Sequence, residues 1–151
     1  MTTLFFIAAA LSTVTQPAAQ ARSIEPVSWG EFSRFQGRGH RITVTLGTLP
    51  SEVRGQPVYW AKRVGVIEGG ATDSLKCPAL TVLVESIERI PMPTPAPRYP
   101  QTLIGDGTVF SITVPHSSTN LDQLTITAGS GPLADWVDNA LMKLEGCWSP
   151  T

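Results

Sequence analysis

Charge is scarce in this chain. Only 15% of its 151 residues are charged, against about 25% in an average soluble domain. Hydrophobic residues make up 42%, which excludes a chain kept unfolded by its own charge. The two signs nearly cancel, with 11 Lys and Arg against 12 Asp and Glu, for a net charge of −1. That balance leaves no electrostatic footprint for nucleic acid or an anionic membrane surface. Histidine is limited to His40 and His116, and cysteine to Cys77 and Cys147. A zinc site of four such ligands would need all of them to converge. Neither Asn120 nor Asn139 begins an N-x-S/T acceptor site.

Long apolar runs are also missing. The longest, Leu4 to Leu11, would reach only about 12 Å as a helix, short of a ~30 Å hydrocarbon core. It reads instead as the apolar centre of a secretory signal peptide over Met1 to Ala21. A polar stretch with Pro17 follows, and then Ala19-Gln20-Ala21, the small-x-small pattern of a cleavage site. Cleavage is expected after Ala21. One feature departs from the pattern, since Met1-Thr2-Thr3 carries no Lys or Arg. No cysteine adjoins the cleavage site, so no lipid anchor is expected there. The expected location is a bacterial periplasm or the extracellular space.

What remains, residues 22–151, has the length of one compact domain. In an exported chain, two cysteines are expected to form one disulfide. Cys77 and Cys147 would close a loop of about 70 residues, worth about 4 kcal/mol by the chain-entropy argument.

Ser28-Trp29-Gly30-Glu31 fits a capping box, and Trp29, Phe32 and Phe35 recur every three residues. The spacing predicts a short helix over 29–36, ended by Gly37. Arg41 to Leu46 alternates, with Ile42, Val44 and Leu46 on one face, and predicts a strand. Leu49 to Gln56 reads as a turn. Val58 to Glu68 reads as a second strand region, with Gly65 as a possible bulge and Gly69-Gly70 as its end.

Pro78 to Ile90 has Leu80, Leu83, Val84 and Ile87 at helical spacing, Pro78 at the first turn, and Pro91 as a stop. Its β-branched residues point the other way, but a helix is the better match. The stretch 91–100 holds five prolines and must be an extended connector. Gly105-Asp106-Gly107, between apolar runs, signals a hairpin. Leu121 to Ala128 reads as a strand. The last element is the clearest. Pro132 opens a helix whose stripe is Leu133, Trp136, Val137, Ala140, Leu141 and Leu144, closed by Gly146 just before Cys147.

No regular alternation of strand and helix is present, and no internal repeat. The expected fold is α+β: an antiparallel sheet of four or five strands with two disulfide-linked helices, about 78–90 and 132–145, on one face. The disulfide would join the end of the last helix to the start of the 78–90 helix.

Motifs of chemistry are sparse. Gly129-Ser130-Gly131-Pro132-Leu133-Ala134 matches a dinucleotide-binding turn in letters. No parallel strand can follow it in the remaining seventeen residues, and Pro132 removes a cradle N–H. It reads better as a linker into a helix. His40 and His116 are the candidate general bases, neither with an acidic partner fixed by sequence. The basic stretch Phe32 to Arg41 reads as aromatic core beside a solvated turn. Glu85 and Glu88 read as a solvated helix face. Tyr59 and Trp60 are adjacent in a strand and must point to opposite faces, so one of them points away from the core.

No catalytic, cofactor-binding or metal-binding residue is assigned. The expectation is a small exported, non-catalytic domain that binds a protein or envelope component. The alternatives are a small hydrolase assembled around His40 or His116, and a carrier of a small apolar ligand held between sheet and helices.

Overall fold

The computed structural model describes residues 26–37, 39–50, 57–65, 69–91, 107–115 and 122–149. The expected signal segment with its Ala21 cleavage site, residues 92–100 of the proline-rich connector, Gly105-Asp106 and His116 lie outside the described residues.

Six strands form one sheet: β1 (Val27–Gln36), β2 (His40–Leu49), β3 (Val58–Val64), β4 (Gly70–Asp73), β5 (Val109–Pro115) and β6 (Gln123–Ala128). Their order is β4-β3-β2-β1-β5-β6, and every neighbouring pair is antiparallel. The described residues also form two helices, α1 (Pro78–Ser86) and α2 (Pro132–Leu144). A 3-10 turn follows each, Ile87–Arg89 and Glu145–Cys147. The α+β class and the disulfide-linked helix pair are as the sequence implies. Among the described residues the strand count is six, because two strands were not expected.

The first is β1. Residues 29–36 are a central strand, not a helix. The register with β2 slips between Ser28 and Gly30, so Trp29 is the extra residue of a bulge. The bulge interrupts the two-residue alternation and leaves Trp29 and Phe32, three apart, both packed on the core. Phe35, which completed the apparent helical stripe, is 39% exposed on the other face. Glu31 caps nothing and pairs with Thr45 and Thr113 inside the sheet.

The second is β4, four residues with little apolar pattern of their own. It is held by Trp60↔Asp73 through Arg63↔Gly70 on one side. On the other, Ala71 and Ser149 exchange backbone hydrogen bonds, each 3.1 Å. Gly65 lies just past the end of β3 and not in a bulge.

One face of the sheet is apolar and carries both helices. Phe32, Val44, Leu46, Ala61, Phe110 and Ile112 point up from it into a core completed by Leu80, Leu83, Leu133, Val137, Ala140 and Leu144. Each side chain of this size stabilises by about 1.5–3 kcal/mol when fully buried. The ring of Trp136 meets Phe32 edge to face, centroids 5.3 Å apart.

Two links fix the helices to each other. Cys77, which caps α1, is disulfide-bonded to Cys147, with Cα atoms 5.7 Å apart. At the other end, the Trp136 indole N–H donates to Ser86 Oγ at 2.8 Å. The start of α1 is thus joined to the end of α2, and the end of α1 to the start of α2. The two helices run antiparallel. At the start of α2, Gly131 has φ +85°, a left-handed conformation that glycine adopts without a Cβ clash.

Candidate functional site

The helices do not cover the apolar face of the sheet completely. Beyond the end of α1 an open groove of about 450 Å³ remains. Its floor is Ile112 and Val114 of β5 with Leu124 and Ile126 of β6. Val84, Ile87 and Ile90 form the helix-side wall, and Trp29 and Pro115 complete it. Glu88 is the one charged side chain lining it among the described residues. The volume falls in the range of small-molecule sites, roughly 300–1,000 Å³.

Local structure accounts for each wall. The β1 bulge turns Trp29 toward the groove, and its indole N–H is held by Thr48 Oγ1 at 3.0 Å. Alternation along β5 and β6 brings Ile112, Val114, Leu124 and Ile126 to one face, with Ile112 opposite Ile126 and Val114 opposite Leu124. The change from α-helix to 3-10 turn after Ser86 places Ile87 and Ile90 at the rim. Leu124, Ile126, Ile87 and Ile90 are all only partly buried, so the groove presents apolar surface to whatever enters.

The opposite face is lined mainly by hydroxyl side chains, with Phe35 and Val109 exposed among them. Thr43, Ser33, Ser111 and Thr127 form one row across four strands. Thr45, Glu31, Thr113 and Thr125 form the next. Hydroxyls pair across strands, Ser33 with Ser111 at 2.8 Å and Thr113 with Thr125 at 2.9 Å. Trp60 lies on this face over Gly47, while Tyr59 packs on the core side. Trp60 is thus the outward member of the adjacent aromatic pair.

The candidates from the sequence do not converge. His40 is exposed at the start of β2, opposite Gln36. No carboxylate among the described residues is hydrogen-bonded to it. Glu85 is exposed on α1, and Glu88 belongs to the groove rim. The glycine turn 129–131 leads from an edge strand of an antiparallel sheet into α2, without the parallel crossover of a dinucleotide site. Among the described residues, no three His, Cys, Asp or Glu side chains are placed to hold one metal ion. None of the described helices is long and apolar enough to cross a membrane.

The groove itself was not evident in the sequence, because its lining comes from four separate segments. The alternation that sets Leu124 and Ile126 on one face of the last strand was the one signal available. Compared with protein-family models, curated proteins and solved structures, the chain matches none of them.

Proposed function

We propose that this chain is a small exported, non-catalytic binding domain. Its apolar groove seats the hydrophobic part of a protein or envelope component. The observation that carries this reading is the groove: partly buried Leu124, Ile126, Ile87 and Ile90 with, among the described residues, one charged side chain, Glu88. Apolar surface left in a concave, rimmed site is the usual mark of a binding site. The Cys77–Cys147 disulfide supports an oxidising compartment, and the sequence of residues 1–21 supports export into one.

The groove volume also supports a second reading, a carrier of a small apolar ligand. One experiment addresses both. A photo-crosslinking amino acid is placed at Ile87 or Leu124 in the groove, or at Val82, which is exposed on α1 outside it. Adducts are collected from the exported fraction and weighed by mass spectrometry. The binding-domain reading expects one defined protein or envelope adduct from the two groove positions and none from Val82. A small-molecule adduct favours the carrier. Equal labelling at all three positions, or none in the groove, overturns both. The same spectra are expected to show a mature chain beginning at Arg22.

A further inference from the structure

Among the described residues, the two edges of the sheet differ in how they are protected. An open strand edge is a row of unpaired backbone donors and acceptors, and proteins guard it with short strands, charges, prolines or a covering segment. Strand β4 is guarded: it has four residues, and Ala71 is bridged to Ser149. Strand β6, Gln-Leu-Thr-Ile-Thr-Ala, has six residues and neither charge nor proline. Among the described residues it pairs only with β5.

We infer that β6 is a self-association edge, pairing antiparallel with β6 of a second copy to give one continuous twelve-stranded sheet. Three observations select a second copy. The strand is uniform by face, with Leu124 and Ile126 on the groove side and Thr125 and Thr127 on the polar side. Antiparallel pairing about a two-fold axis sets like faces together, so the same patch fits itself. The seam carries no charge of its own. Asp122, just before the strand, would lie about 20 Å from its counterpart at ~3.4 Å per residue, beyond the Debye length of roughly 8 Å.

Centring the axis on Thr125 keeps Gly129, where the chain bends, out of the seam. It sets Leu124 of each copy against Ile126 of the other. The two grooves then share one apolar floor across the axis. The association does not depend on what the groove binds.

The test is sedimentation equilibrium of the disulfide-bonded protein from micromolar to sub-millimolar concentration. The expected result is a reversible dimer. Thr125→Lys places two like charges opposite each other on the exposed face and is expected to weaken the dimer about tenfold or more. Thr125→Glu is expected to do the same, and an equimolar mixture of the two variants is expected to recover it. Amide exchange of β6 in the unmodified protein, slowing as concentration rises, gives a readout that needs no variant. A monomer at every concentration overturns the proposal. So does a dimer indifferent to both substitutions, or one whose β6 amides exchange at a rate independent of concentration.

Discussion

The Trp136 indole donates to Ser86 Oγ at 2.8 Å, and the Ser86 hydroxyl donates in turn to the Leu83 carbonyl at 2.7 Å. One small side chain therefore satisfies a donor on α2 and an acceptor on α1. The same indole lies edge-on to Phe32 in the sheet. Ser86→Ala leaves the indole N–H without its partner at a half-buried site and is expected to cost about 1–2 kcal/mol. Trp136→Ala removes the ring as well and is expected to cost about 3–5 kcal/mol. The two losses are expected to be non-additive in a double-mutant cycle measured by urea unfolding, because they share one bond. Strict additivity would show that the bond does not couple the helices.

The disulfide closes a loop of 70 residues. By the chain-entropy model, its loss removes about 4 kcal/mol, a large share of a typical ~5–15 kcal/mol. Cys77→Ser or Cys147→Ser is expected to lower the melting temperature by about ten degrees or more under oxidising conditions. Calorimetry with and without reductant checks it, and the Ser variants should no longer respond to reductant. An unchanged melting temperature would remove the disulfide from any role in stability.

Gly70 permits the close approach of the C-terminal segment to β4. A Cβ there would lie 2.9 Å from Trp148 Cβ and 3.0 Å from the Ser149 carbonyl oxygen. Neither neighbour is a flexible side-chain end, and Trp148 is itself fixed under the Arg63 guanidinium, 5.1 Å from its ring. Gly70→Ala is expected to cost about 1–3 kcal/mol, as overpacking does. It should also speed amide exchange at Ala71 and Ser149, whose mutual bonds depend on that approach. Unchanged exchange at both amides would contradict this account of the edge.

The legible parts of the fold were those whose local pattern and long-range pairing agree. The stripe from Leu133 to Leu144 and the proline at its start specify α2 without help from elsewhere. The alternation of Ile42, Val44 and Leu46 does the same for β2. Strand β1 misled because its bulge sets Trp29 and Phe32 three residues apart, and three-residue spacing imitates a helix. Partners on both sides, β2 and β5, override that local signal. Strand β4 has almost no local signal and exists through its neighbours. The disulfide was legible from the cysteine count together with the expected export signal. The groove was not, since it is the gap left where α1 ends short of β6, and that distance is set by packing, not by any one segment.

The central claim is that the groove beyond α1 binds apolar groups. Its most direct test is a titration of the protein with the uncharged fluorophore N-phenyl-1-naphthylamine. The account predicts saturable one-to-one binding, lost in Ile87→Glu and kept in Val82→Glu, with both variants retaining the far-ultraviolet spectrum of the parent protein. No saturable binding, or binding indifferent to Ile87→Glu, would contradict it.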